Sequence, residues 1–329
     1  MSSNLSFNAT SAIAKAAGCN STDVYSANPS LVTCLRSLPM QTLLDLTTSF
    51  IDDTSANNDG DIFLPTVDQD FLPELASKLV ADGKFPKIPF MTGWTENDAT
   101  LFTRSDITTA NDTRAFFEVF YPNVTSSTLT SILDLYPVTD FSPNTTANLS
   151  AEFYRSAEIF RDILLTCPSF YFAEAMAKKY NTSEPPVYLY SANQTILGSF
   201  LDVAGLPGLG VIHTSELSYL YGNLSIFNLT DAGIPGYHFD PSASDYEFAR
   251  QLPRSWSSFA STGAPSIEGK DTLPGWKTAY PNGKGDGEVY VIGGGEEGMG
   301  SGNAALAKER LGERCGFLNS EPVIAQLMY

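Results

Sequence analysis

The clearest periodicity in the chain lies at residues 150–165, where Phe153, Ala157, Phe160 and Leu164 recur at i, i+4, i+7 and i+11. That spacing gathers the apolar side chains on one face of a helix. Pro168 follows and opens a second predicted helix to about Lys179, because proline fits the first helical turn. Residues 113–120 and 126–135 have helical spacing as well, and 8–17 reads as a short helix closed by Gly18, a residue suited to the position just past a helix end. Pro39 opens another helix to about Leu46, Pro253 interrupts helical spacing at 245–261, and 304–311 reads as a last helix. Three short apolar runs have a different character: Lys87-Ile-Pro-Phe-Met-Thr-Gly93, Pro186-Val-Tyr-Leu-Tyr190 and residues 288–292. They read as strands, the second most clearly. Helices alternating with short apolar strands predict an α/β fold. No repeat or linker divides the chain, so one domain is expected over residues 1–329.

The loops after the first two strands hold the candidate chemistry. The first strand runs into Trp94-Thr-Glu96-Asn-Asp98, which carries two carboxylates. The second precedes Gly205-Leu-Pro-Gly-Leu-Gly-Val-Ile-His213-Thr-Ser-Glu216-Leu. Glycine and proline this dense mean a shaped loop, and it ends on one of only two histidines in the protein. A lone histidine more often caps a turn or fills a pocket, so the weight falls on its company. An acid and then a histidine, each on a strand-end loop, form the latter part of the order Ser…Asp/Glu…His of α/β hydrolases. In that arrangement the acid fixes the imidazole tautomer and stabilises the imidazolium. Asp98 is the preferred acid and Glu96 the fallback.

The nucleophile belongs on an upstream G-x-S-x-G elbow. Glycines four apart centre on Gly285, Glu296, Gly300 and Arg314, and none is serine. Ser301 is the nearest lookalike, but it follows His213 and has Met299 and Asn303 where glycines are needed. No Gly-Gly tract precedes Asp98 to form an oxyanion hole. His238, in Gly236-Tyr-His-Phe-Asp240, matches no catalytic motif and reads as structural. Glu216 is expected to support His213 by a hydrogen bond, and Trp94, Trp256 and Trp276 to pack. The glycine run at 293–302 does not fit G-x-G-x-x-G, so nucleotide binding is not expected.

Composition narrows the class. In 329 residues, 43% hydrophobic and 12% aromatic content supports a sizeable core. A net charge of −18 disfavours nucleic acid and anionic membrane surfaces as partners. No apolar run reaches the roughly 18 residues of a membrane span, and the N-terminus has no signal-peptide pattern. Sequons begin at Asn4, Asn8, Asn20, Asn111, Asn123, Asn144, Asn148, Asn181, Asn193, Asn223 and Asn228. Together they favour a secreted glycoprotein. Cys19, Cys34, Cys167 and Cys315 form an even, sparse set without CxxC, so a zinc site is not expected and two bridges are the simple reading, with three connectivities open. A disulfide-capable, sequon-rich chain without a signal suggests the downstream part of something longer.

Several motifs together resemble the type-B carboxylesterase/lipase family, the cholinesterase-like branch of the α/β hydrolases, and in particular its secreted fungal forms. Ala17-Gly-Cys19 with Cys34-Leu-Arg36 resembles the segment after the nucleophile elbow; Ile88-Pro-Phe-Met-Thr-Gly93 with Asp98 and Phe102 resembles the acid strand and loop. Cys167-Pro168 with Val187-Tyr-Leu-Tyr190 resembles the helix and strand ahead of the histidine. Gly210-Val-Ile-His213-Thr-Ser-Glu216-Leu with Tyr221-Gly222 resembles the histidine motif, and Trp256-Ser-Ser-Phe-Ala260-Ser-Thr-Gly263-Ala-Pro265 with Arg314-Cys315-Gly-Phe317 the closing ones. Many members have Glu-Gly where this chain has Asp98-Ala99.

The resemblance implies a partial α/β-hydrolase fold, with the C-terminal strands of a mostly parallel sheet and flanking helices. It implies disulfides Cys19–Cys34 and Cys167–Cys315, an ester or lipid substrate, no metal or organic cofactor, and an extracellular location. His213 would be the general base and then acid, Asp98 its orienter, and the nucleophile a serine outside this chain. The alternative is a non-catalytic binding or adhesion module of the same fold. With the front of the sheet missing, an exposed apolar edge and poor stability in isolation are expected.

Overall fold

The computed structural model describes residues 3–19, 29–54, 63, 65–180, 186–281, 287–295, 298–299, 307 and 309–327. The chain divides into two compact units. The first holds Met1–Asp82, Arg114–Thr125 and Ile324–Tyr329; the second holds Gly83–Thr113 and Ser126–Val323.

The first unit includes the helices Ser3–Ala16, Pro29–Ser37, Met40–Thr54 and Ala76–Ala81. Ala14, Cys19 and Leu31 are buried together, and a Cys19–Cys34 disulfide closes this small core. Cys34 sits on the helix Pro29–Ser37. Leu31, three residues before it, turns that helix face inward.

The second unit is built on a sheet of four strands in the order β1-β2-β3-β4. These are β1 (Phe90–Thr95), β2 (Val187–Ala192), β3 (Val289–Ile292) and β4 (Gly298–Met299). β1, β2 and β3 are parallel, with Phe90 opposite Val187 and Leu189 opposite Val289; β4 joins β3 antiparallel. Alternate side chains of β2 and β3 face opposite ways. Val187, Leu189, Val289 and Val291 pack with Trp94 against Ala173, Met176 and Ala177 of the helix Cys167–Tyr180. Tyr188, Tyr290 and Ile292 pack with Trp276 against Phe248, Ala249 and Leu252 of the helix Ala243–Thr262. Helices therefore cover both faces, as parallel strands require. Each fully buried aliphatic side chain in these layers contributes about 1.5–3 kcal/mol. Gly93 is required by close approach: a Cβ there would lie 2.3 Å from Tyr190 O of β2.

Several predicted helices differ in extent. The helix expected over 150–165 starts at Ala151, with Ser150 Oγ accepting from Phe153 N, and runs to Arg161. It widens into a π-helical turn, Asp162–Thr166, before Cys167–Tyr180. The helix Ala243–Thr262 passes through Pro253 without ending. Its Ser242–Asp245 capping box fixes the start, and burial of Phe248, Ala249, Leu252 and Ser255 offsets the roughly 3 kcal/mol a mid-helix proline costs. The helix begun at Pro39 reaches Thr54 rather than Leu46. Of the last predicted helix, residues 304–306 and 308 lie outside the described residues, as does Ser301; helices follow at Leu311–Leu318 and Glu321–Leu327. Cys167–Cys315 is the second disulfide.

Candidate active site

β1 and β2 end side by side, with Thr95 opposite Ala192, and Glu96 N continues the ladder to Ala192 O at 3.0 Å. Beyond that point the chain turns tightly. Asp98 Oδ2 accepts from Thr95 N at 2.9 Å, which folds the carboxylate back over the strand end, and Asp98 is buried. Its other oxygen, Oδ1, lies 2.6 Å from His213 Nδ1. A buried carboxylate facing Nδ1 makes that nitrogen the N–H donor and leaves Nε2 as the acceptor of the ring. The imidazole side chain is 42% exposed against 3% for Asp98, so the pair has a dry end and a wet end. The edge of the Phe102 ring packs on the imidazole with centroids 5.4 Å apart.

Thr214, next to His213, has φ +68. For a β-branched residue this is strained, at a cost of order 1–3 kcal/mol. Its Oγ1 donates to His213 O at 2.5 Å. Glu216 reaches the same region. Burial raises its carboxyl pKa and the Asp98 charge adds to this, while His213 opposes. Its Oε2 is buried with no partner among the described residues, so that oxygen does not make the supporting hydrogen bond expected from the sequence.

Glu96, the fallback acid, contributes through its backbone: Arg161 Nη1 donates to Glu96 O at 2.8 Å. Arg161 is itself buried, bound to Asp162 Oδ1 through Nε and Nη2 at 2.9 and 2.7 Å and to Glu309 Oε2 at 2.9 Å. Tyr136 Oη donates to Asp162 Oδ2 at 2.7 Å, and burial raises that phenol's pKa well above its usual value. Sequence reasoning missed this ionic cluster, whose only local signal was Arg161-Asp162 at the end of an amphipathic helix. A cavity of about 1310 Å³ lies alongside, lined by Glu96, Asn97, Tyr154, Glu158, Arg161 and Glu309 among others, but by neither Asp98 nor His213.

Asn97 was missed too. Its N donates to Val211 O at 3.0 Å and its Oδ1 accepts from Val211 N at 2.9 Å. His238 is exposed and pairs with Ser199, whose Oγ lies 3.1 Å from Nδ1 and accepts from His238 N at 2.9 Å. Trp94 and Trp276 are buried in the core and Trp256 packs against it. Among the described residues no group of His, Cys, Asp and Glu side chains is placed to hold a metal ion, and no helix is long and apolar enough to cross a membrane. Of the sequons, Asn8, Asn111, Asn123, Asn148, Asn223 and Asn228 are exposed and Asn144 is half-buried. Asn193 is buried, with Oδ1 accepting from Ser191 Oγ at 2.6 Å. Asn20 and Asn181 lie outside the described residues, as does the side chain of Asn4.

A mostly parallel sheet covered on both faces, with acid and histidine paired on loops at successive strand ends, fits the α/β-hydrolase fold. The chain belongs to the Carboxylesterase family, whose sequence model matches residues 1–305. It is 37% identical over 318 residues to a secreted lipase of Arthroderma benhamiae, covering 95% of this chain and 53% of that protein. It is 29% identical over 300 residues to an inactive carboxylesterase-like protein of Byssochlamys spectabilis, covering 88% and 49%. The crystal structure of Aspergillus niger EstA shares its fold, with a TM-score of 0.65 and 20% identity over 98% of this chain and 56% of that one. The chain spans about half the length of the curated relatives it matches.

Proposed function

We propose that this chain carries the acid–histidine part of a carboxylic-ester hydrolase site, with the serine nucleophile supplied by a segment outside it. The observation that carries the reading is the buried Asp98 carboxylate 2.6 Å from His213 Nδ1. In the completed site His213 Nε2 takes the serine hydroxyl proton as the serine oxygen bonds the ester carbonyl carbon. It then gives that proton to the departing alcohol as the C–O bond breaks. Water repeats the sequence on the acyl-enzyme: its proton passes to Nε2, and the serine leaves with it as the acid is released. Asp98 stabilises the imidazolium in both halves. Without a G-x-S-x-G serine the isolated chain turns esters over only marginally. The relatives' secretion, the two disulfides and the exposed sequons support an extracellular site of action.

A second reading, a non-catalytic module, is favoured by the relative described as inactive. The Asp98–His213 pair opposes it, because binding alone needs neither group. The test joins this chain to the remaining N-terminal part of the Arthroderma lipase and assays a short p-nitrophenyl ester. The joined protein is expected to turn over and the isolated chain to stay near background. Turnover by the joined protein that survives His213→Ala, or robust His213-dependent turnover by the isolated chain, contradicts the proposal.

A further inference from the structure

The sheet ladder fixes the backbones of β1 and β2 only as far as Glu96 N–Ala192 O. Asp98 lies two residues past that bond and His213 twenty-one past it, beyond the helix Gly198–Val203. A 2.6 Å contact between groups so far from the last ladder bond needs another constraint. The contacts of Asn97 supply it. Its backbone N donates to Val211 O and its side-chain Oδ1 accepts from Val211 N, so one residue closes a two-bond ring on the other loop. That ring lies one residue from Asp98 and two from His213. Gly210 makes the approach possible: its φ is +74, and a Cβ there would stand 2.2 Å from Asn97 Oδ1. Thr100, buried, adds a third link. Its Oγ1 sits 2.8 Å from both Leu209 O and Asn97 O and shares its one proton between them. Leu209 and Val211 are thus both pinned to the turn 97–100, on either side of Gly210.

We propose that Asn97 is a positioning residue for the Asp98–His213 pair, acting by stapling the histidine loop to the acid turn. This rests on the ester-hydrolase reading for its catalytic consequence, though not for its geometry. Asparagine suits this position because its Oδ1 accepts from a backbone N–H at short reach. Alanine removes the acceptor. Alanine at 210 forces the amide away by contact, so the two substitutions act on one contact and their effects do not add.

The test uses the whole chain, which has only two histidines. The imidazole N–H proton shared by Asp98 and His213 is followed by NMR, beside amide exchange at Val211. The unsubstituted chain is expected to show a slowly exchanging imidazole proton and a protected Val211 amide; Asn97→Asp, which keeps the acceptor, retains both. Asn97→Ala loses both while its circular dichroism stays native. In the joined protein, Asn97→Ala lowers kcat about 100-fold with KM little changed, as expected when reacting groups are misplaced by about 1 Å. A native-like Asn97→Ala chain that keeps the imidazole signal overturns the proposal. So does rapid Val211 exchange in the unsubstituted chain, a measurement that holds even if the alanine variant does not fold. If the unsubstituted joined protein is inert, the hydrolase reading fails and the imidazole signal still decides the staple.

Discussion

Asp98 Oδ1 and His213 Nδ1 stand 2.6 Å apart although 115 residues separate them in the chain. The carboxylate accepts, so the ring proton is held on Nδ1 and Nε2 stays free to take one. Asp98→Asn keeps the size but can offer His213 an N–H, which favours the wrong tautomer. In the joined protein it is expected to lower kcat about 10⁴-fold, the scale this change has where an acid only orients a histidine. A pre-steady-state and steady-state ester assay reads it. Retention of more than a tenth of kcat means that Asp98 is not the orienter.

Arg161 holds the acid turn from the other side by donating to Glu96 O. Its guanidinium is also the counter-charge of two acids, Asp162 and Glu309. Arg161→Met strands the buried Asp162 carboxylate, the half-buried Glu309 carboxylate and one carbonyl. Breaking a buried pair by removing one partner costs about 3–5 kcal/mol. Urea unfolding of the second unit is expected to lose stability on that scale. A loss below about 1 kcal/mol would show that the cluster relaxes without its cation.

Glu309 gives that cluster a pH dependence. Burial raises its carboxyl to about 7 from the usual 4.5, with Glu158, Asp162 and Glu96 adding to burial and Arg161 opposing it. Between those two values the folded chain binds more proton at Glu309 than the unfolded chain does. Its contribution to stability is therefore whole below about 4.5 and falls as pH rises through 7. Glu309→Gln removes this titration. The stability of Glu309→Gln relative to the unsubstituted chain should rise between pH 5 and pH 8, by up to about 3 kcal/mol. Thermal melts across that range test it, and a pH-independent difference excludes it.

What the sequence disclosed was what is local. The helix Ser126–Leu135 follows directly from its periodicity, and the strand of β2 was plain in Val187-Tyr-Leu-Tyr190. The order of acid and histidine on strand-end loops survives in any single sequence, because each loop carries its own glycines and punctuation. Contacts between distant segments leave no such trace. Asn97 drew no role between its two carboxylate neighbours, since Val211 lies 114 residues on. Arg161 fell within a predicted helix with no role assigned to it, because Glu96 and Glu309 come from remote parts of the chain. Pro253 looked like an interruption of its helix, since propensity ignores the packing that overrides it.

Asn223 and Asn228 show how the fold sorts the sequons. Each side-chain Oδ1 accepts from the hydroxyl of its own sequon, Ser225 at 2.6 Å and Thr230 at 2.6 Å, and both residues are exposed. The amide nitrogen is then left to face outward, where a glycan adds bulk without displacing packing. Asn193 is the opposite case: buried at the end of β2, with its Oδ1 held by Ser191. Expressed through a eukaryotic secretory pathway, the folded protein is expected to carry sugar at Asn223 and Asn228 and none at Asn193. Peptide mapping by mass spectrometry after deglycosylation in heavy-oxygen water reads each site separately. Occupancy of Asn193 in folded protein would require the Ser191 contact to break and the strand end to open, and would show that burial does not govern which sequons are used.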